Sequence, residues 1–509
     1  MDNPTKMAGR SAFSGRWILA LAGALVVVIA LAVGLNVGGV RERIFGGIGA
    51  PRINSIAVLP FENLSDDPAQ DYFVEGMMQM LVRDLQQVGA FRVIAPPSVA
   101  KYKKAPKPLP EIAQELGIDA VATGSVLRSG DRVRLTANLI HAPTNRQLWG
   151  HTYERDLGDV LNMQSEVLRA VARVSKAKLT PQEDATFSGP RPVNPQAHDA
   201  LFRAMWGGNP AKTLEILKQA SELDPKQANP YDYLGGMYFM RNMYPTFPPG
   251  DTYPKAKEAA QKAVSLDPTV PISHRILASV ALEYDWNYLE ADNEFRRAVE
   301  LTPSGLWAHH MYAHYLLSMG RMEEARAESQ NTLELDPAGS ATIACMSWHD
   351  IAEGNYERAE KRASQALSLG APDQLARLTL GWSYLERGRF DQAIPEFQKA
   401  VVGWQNAVFP TAALGHAYAV AGKVDAAREV LNGLLARSKT EYVSPYEIAV
   451  IYAGLGDKDR AFEWLEKAYQ DRSSLLVYFR MDPRIWSLRS DARFKDLLGR
   501  MSFPPDRQD

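Results

Sequence analysis

The apolar positions of this chain change their spacing three times. Residues 17–40, from Trp17 through Val40, carry no charge, and only Asn36 is conspicuously polar. That run is long enough to cross a bilayer as a helix. Beyond a short Gly/Pro-containing linker the pattern becomes mixed. Residues 55–61 form a compact apolar run of strand length, bounded by the polar residues 62–68. Phe73, Met77, Met80, Leu81, Leu85 and Val88 recur at three- and four-residue spacing, which predicts an amphipathic helix over 70–88. A short strand at 91–94, a helix at 109–116 stopped by Gly117, and a strand at 120–127 follow. Turns at 129–131 and 142–145 separate further strands at 133–141 and 147–153, and a helix at about 160–178 closes this region. Residues 180–195 hold Pro181, Gly189, Pro190, Pro192 and Pro195 with no apolar period, and predict a linker.

From there on every apolar pattern is helical, and it repeats. Gly320, Gly354, Gly388, Gly422 and Gly456 stand 34 residues apart, each followed five residues later by Ala325, Ala359, Ala393, Ala427 and Ala461. Ala291 extends the series backwards. A fixed period of this length predicts stacked helix–turn–helix units, because one unit cannot bury its apolar face alone. A second mark, Leu-x-Pro, recurs at Leu223, Leu266, Leu301 and Leu335. The first interval is longer, and the surplus, 240–253, predicts a protruding loop around Pro245, Pro248, Pro249 and Gly250. The pattern thus predicts a multidomain chain: a transmembrane helix, a small α/β domain and an all-α solenoid. The boundaries expected are a short N-terminus at 1–16, the span at 17–40, a linker at 41–52, the α/β domain at 53–179, a linker at 180–194, the solenoid at 195–471 and a capping segment at 472–509.

Composition narrows the function. A formal net charge of −2 over 509 residues argues against an electrostatic nucleic-acid binder. A single cysteine, Cys345, allows no intrachain disulfide and no cysteine-rich zinc site, and it reads as a small buried residue. Phosphate-loop, His-Glu-x-x-His and Gly-x-Ser-x-Gly motifs are absent, so no catalytic residue, cofactor or small-molecule ligand is expected. His310 and His314 share a helix face, where two imidazoles could share a metal. No third ligand stands at a matching spacing, so the pair reads as solvated or peptide-facing and no metal is expected.

The 17–40 run leaves two readings. An uncleaved anchor fits apolar character that continues past the small-x-small site Ala30-Leu31-Ala32, whereas that site is the mark of a cleavable signal peptide. Flanking charge is balanced, with Lys6, Arg10 and Arg16 before it and Arg41, Arg43 and Arg52 after it. A single pass through a bacterial inner membrane, N-terminus cytoplasmic and bulk periplasmic, is the placement expected. Sixteen residues precede the run in this sequence, and no effector domain is expected among them.

Ile56-Ala-Val-Leu-Pro-Phe61 with Asn63, Tyr72-Phe-Val-Glu-Gly76, Leu116-Gly117, Gly124-Ser-Val126, Arg132-Val133 and Leu148-Trp149 resemble the N-terminal domain of TolB-like proteins. That resemblance implies a non-catalytic module, periplasmic or close to a membrane. Leu380-Gly381 with Tyr384, Leu414-Gly415 with Tyr418, and the small residues Ala298, Ala366, Ala400 and Ala468 resemble the tetratricopeptide repeat (TPR). Seven or eight units fit 195–471, with the first two degenerate and Asp350 where Tyr is usual. The tail with Asp482-Pro-Arg-Ile-Trp486 resembles the cap that shields the last unit. TPR register implies that His314, Trp348, Trp382 and His416 stack along the concave groove, with Trp307, His310, Phe409 and Tyr446 at neighbouring groove-facing positions. Aromatic side chains with polar tips suit peptide anchoring, although such a stripe also fits inter-repeat core. The function expected is a membrane-anchored, non-enzymatic scaffold binding proteins or peptides in that groove. The alternative is a sensor or regulatory subunit acting in trans on a separate cyclase, kinase or transcription regulator.

Overall fold

The computed structural model describes residues 52–188, 193–242, 247–370 and 374–504. The predicted span at 17–40 lies outside them, and among the described residues no helix is long and apolar enough to cross a membrane.

The first apolar run becomes β1 (Ser55–Val58), with two-residue β2 (Glu62–Asn63) after it. Helix α1 (Asp71–Gln86) buries the face its spacing predicts, with Phe73, Met77, Met80, Leu81 and Leu85 at 2% exposure or less. Then come β3 (Arg92–Val93), α2 (Pro96–Lys104) and α3 (Leu109–Leu116), followed by β4 (Ala120–Ser129), β5 (Arg132–His141), β6 (Arg146–Asp156) and α4 (Val160–Val174). Helix α2 escapes the pattern because it buries only Ser98, Val99 and Tyr102. The strands form one sheet in the order β3-β1-β4-β5-β6, with β2 also on β4. β1 is parallel to β3 and β4, and β4–β5–β6 is an antiparallel meander with a bulge between Leu139 and Ile140. Strand alternation feeds two cores. Ile56 and Val58 pack with α1 and α4, while Ala57 packs with Ile112 and Leu116 of α3.

The expected linker is partly a helix, α5 (Pro181–Ser188), whose Phe187 is 1% exposed in the α1–α4 core. Thr180 and Glu183 exchange side-chain to backbone bonds, at 3.2 and 2.6 Å, in a capping box, and proline is tolerated at a first helical position. The proline content masks that signal.

The rest is helical pairs: α6 (Pro195–Met205) with α7 (Pro210–Leu223), α8 (Ala228–Met240) with α9 (Pro249–Leu266), and α10 (Pro271–Val280) with α11 (Tyr288–Leu301). A π-helical turn at Ala281–Asp285 continues α10. Next stand α12 (Leu306–Ser318) with α13 (Met322–Leu335), and α14 (Ser340–Ala352) with α15 (Tyr356–Ser368). The last pairs are α16 (Gln374–Glu386) with α17 (Phe390–Gly403), α18 (Val408–Val420) with α19 (Val424–Arg437), and α20 (Pro445–Gly454) with α21 (Lys458–Gln470). The loop expected to reach residue 253 stops earlier, because Pro249 opens α9. At the glycine ladder the first helix of each pair ends left-handed, with φ between 70° at Gly388 and 77° at Gly456. The alanine ladder is buried, from Ala291 to Ala461, at 1% exposure or less.

The α/β domain packs directly on these pairs. Phe202 of α6 sits where a side chain at Gly76 would be, its Cγ 2.4 Å from the position of an added Cβ. Ala95 N donates to Leu335 O at 2.8 Å, Val93 N to Ser304 Oγ at 3.1 Å, and Ser98 Oγ to Asp336 at 2.5 Å.

The C-terminal segment does more than cap. Helix α22 (Ala492–Arg500) lays Phe494 and Leu497 into one core with Phe462 and Leu465 of α21, as a cap should. The two 3₁₀ turns before it, Ser474–Tyr478 and Pro483–Leu488, turn inward instead. They bring the end of the solenoid back against its earlier pairs. Trp286 lies 5.0 Å from Tyr469 between ring centroids, with the Arg472 guanidinium 3.8 Å over its ring. Tyr288 donates to Met501 O at 2.9 Å. One continuous apolar core therefore joins residues of 239–325 to residues of 446–501.

Candidate binding groove

Helices α12, α14, α16 and α18 line the concave side. Their register brings four rings into one column: Trp307, His310, His314 and Trp348, with successive centroids 5.2, 4.9 and 5.3 Å apart and nearly parallel planes. Trp382 lines the same side and meets Phe409 edge-on at 5.7 Å. A cavity of about 490 Å³ opens among these rungs. Its walls also include Met311 and Leu375, Leu475 and Tyr478 of the C-terminal segment, and Pro97 and Lys101 of α2.

The eight residues predicted to face the groove do not share one environment. Trp307 is 46% exposed; His314, Trp348 and Phe409 are half-buried at the cavity wall. His310 and Trp382 line the cavity but are 6% and 4% exposed. His416 and Tyr446 need correction: neither lines the cavity, because the C-terminal segment lies over both. His416 Nε2 is 3.2 Å from Arg484 O, and the Tyr446 hydroxyl donates to Asp482 at 2.8 Å. Register counted along the repeats carries no sign that the chain returns to cover its own last rungs.

The returning segment follows the ladder. Tyr478 stands edge-on to Trp348 at 5.2 Å and to His314 at 6.0 Å, and the Arg484 guanidinium lies 5.6 Å over Trp382. Arg484 is 8% exposed, paired with Asp482 at 2.7 Å and Glu447 at 3.2 Å. Burial, opposed by Arg484 and helped by Asp482, pushes Glu447 up to about 7. Burial alone among the raising causes lifts Glu283 to about 7. Burial holds His310 down to about 4 and keeps His314 well below the usual histidine range, so the stacked imidazoles are neutral at physiological pH.

Sequence reasoning misses Cys345. Expected as a buried small residue, it instead lines the cavity with its Sγ 3.0 Å from His310 Nε2 and 3.5 Å from His314 Nε2. A signal exists, since Cys345 precedes the rung Trp348 by three residues on α14 and so shares its face. The expectation that His310 and His314 lack a third donor is thereby overturned. Tyr478 and Arg484 carry no groove signal in the sequence.

Residues 45–148 match the model of the TolB amino-terminal domain, and residues 348–407 and 412–474 match the tetratricopeptide repeat. The chain carries a TolB amino-terminal domain followed by tetratricopeptide repeats. Over 236 residues, 45% of this chain, it is 34% identical to a protein of Rhizobium meliloti (strain 1021) named "Putative adenylate cyclase 3". The chain spans 40% of that relative's length. Among solved structures it is similar to the human IFIT1 dimer with m7Gppp-AAAA, at 15% identity and a TM-score of 0.42, covering 68% of this chain and 83% of that one. It is also similar to the APC/C hetero-tetramer Cut9-Hcn1, at 17% identity and a TM-score of 0.40, covering 67% and 59%.

Proposed function

We propose that this TolB/TPR protein is a non-enzymatic scaffold that holds a short segment of another protein in the concave cavity. The observation that carries the reading is the cavity itself, walled by Trp307, Trp348, Trp382 and Phe409. It falls in the size range of preformed ligand sites, roughly 300–1,000 Å³. Trp382 Nε1 and His310 Nδ1 are buried at its wall without a hydrogen-bond partner. A peptide backbone would supply a carbonyl and relieve a cost of about 1–3 kcal/mol per orphaned group. The groove already holds polypeptide of this kind, its own residues 474–488, with Tyr478 against the rungs. The remaining space suits a segment that brings one or two apolar or aromatic anchors, as in other groove-recognition modes. The uncharged run at 17–40 would confine the encounter to a bacterial inner membrane, with the bulk in the periplasm.

The test is selection of displayed peptides on the full chain, followed by calorimetry with the best binder. Trp307→Ala is expected to weaken binding at least tenfold with an unchanged melting temperature, because Trp307 is half-exposed. If no peptide is enriched, or if Trp307→Ala and Trp348→Ala both bind like the parent, the scaffold reading fails. The relative named for a cyclase favours a second reading, a regulatory subunit acting in trans on a separate signalling enzyme. Modulation of a co-purified cyclase by the full chain would favour that reading over the scaffold.

A further inference from the structure

We propose that His310, His314 and Cys345 form a transition-metal site of the zinc class on the cavity wall, with its remaining coordination position open to the cavity. Two imidazole nitrogens and one sulfur converge: His310 Nε2 and His314 Nε2 are 3.0 Å apart, and Cys345 Sγ stands 3.0 and 3.5 Å from them. Tetrahedral zinc with Zn–N of about 2.0–2.1 Å and Zn–S of about 2.3 Å requires edges of roughly 3.3 Å between nitrogens and 3.5 Å from nitrogen to sulfur. The three donor atoms lie within about half an ångström of that figure, and the two imidazole planes, 13° apart, tilt towards each other when both nitrogens bind one ion. Two histidines four apart on α12 and a cysteine on the neighbouring α14 place them on rigid elements.

The surroundings favour binding. A neutral imidazole ligates without losing a proton. His314 Nδ1 faces the Tyr478 hydroxyl at 3.4 Å, and in the tautomer that donates Nδ1–H to that oxygen Nε2 is free to ligate. Trp307 and Trp348 stack on the outer faces of the two imidazoles, at 5.2 and 5.3 Å between centroids. A thiol binds a metal ion as the thiolate, so Cys345 gives up its proton when the ion arrives. The step is then balanced: the ion binds the sulfur and both nitrogens, the S–H bond breaks, and one proton leaves to solvent. The fourth ligand is water or a donor from whatever enters the cavity. Other titratable or charged groups around the triad are His349 and Arg362 on the α14–α15 side, Arg275 from α10, Glu283 from the π turn, and Tyr478.

Titration of the full chain with cobalt(II) and then zinc(II) tests the assignment. One ion per chain is expected, with a thiolate-to-cobalt charge-transfer band that zinc displaces and quenching of tryptophan fluorescence by cobalt. Cys345→Ser should abolish the band and weaken zinc binding at least tenfold, and His310→Gln should weaken it comparably, each with the parent's melting temperature in chelator. A readout on the unmodified protein guards against misfolded variants: zinc should slow the reaction of the one thiol with a disulfide reagent. Substoichiometric uptake, zinc affinity unchanged in Cys345→Ser, or a thiol that reacts at the same rate with zinc present would each overturn the proposal.

Discussion

Two glycines of the solenoid show how one residue type answers two different constraints. Gly388 ends α16 at φ 70°, and nothing lies within 4 Å of an added Cβ. Its constraint is the backbone alone. Gly388→Ala is therefore expected to cost about 1–2 kcal/mol, the penalty of a left-handed L-residue. Gly381, mid-helix, meets a wall: an added Cβ would sit 2.9 Å from Phe397 Cε1. Gly381→Ala is expected to cost about 1–3 kcal/mol by overpacking. Denaturant titration separates the causes, because Phe397→Leu should recover part of the loss in the Gly381→Ala background and none in the Gly388→Ala background. Equal rescue in both would refute the distinction.

The C-terminal segment is the element that decides the groove's shape, and Arg484 is its anchor. Removing one partner of a buried, hydrogen-bonded charge cluster costs about 3–5 kcal/mol, since the others are left unpaired. Arg484→Ala is expected to free residues 474–488, read as faster proteolysis there and a lower melting temperature. Arg493→Ala, whose pairs with Asp491 and Asp459 are solvent-exposed, should leave the melting temperature close to the parent's. Comparable effects of both would mean that Arg484 is not the anchor. This segment also marks where sequence legibility ends. The glycine and alanine ladders determine the turns and contacts between consecutive helices because those are local and periodic. They carry no information on Tyr478 meeting His314, which is 164 residues away. For the same reason six of the eight residues expected to face the groove line the cavity, while His416 and Tyr446 are covered. Cys345 escapes for a different reason: a lone thiol belongs to no repeating mark, so only its offset from Trp348 locates it beside the histidines.

At the scale of the whole molecule, the core that joins residues of 239–325 to residues of 446–501 stands beside a pH-sensitive cluster in the returning C-terminal segment. Arg484 can neutralise one carboxylate. Burial opposes ionisation of Asp482, but Arg484 holds it below the usual carboxylate range. Glu447, 0% exposed and beside that ionised neighbour, keeps its proton up to about 7, against an ordinary 4.5. A folded-state value raised above the unfolded one gives stability that is fully present below about pH 4.5 and is lost as pH rises through about 7. The loss is on the order of 3 kcal/mol, at about 1.36 kcal/mol for each pH unit that separates the folded and unfolded values. Glu447→Gln removes that titration while retaining an acceptor for Arg484. Relative to the parent, the variant should therefore become more stable as pH rises from about 5 to 8, with the gap moving by ~1–3 kcal/mol in its favour. Urea unfolding of both proteins across that range gives the answer, and hydrogen exchange of 474–488 locates it. A gap that stays constant with pH would show that Glu447 is ionised throughout and that the segment's hold on the groove is indifferent to its charge.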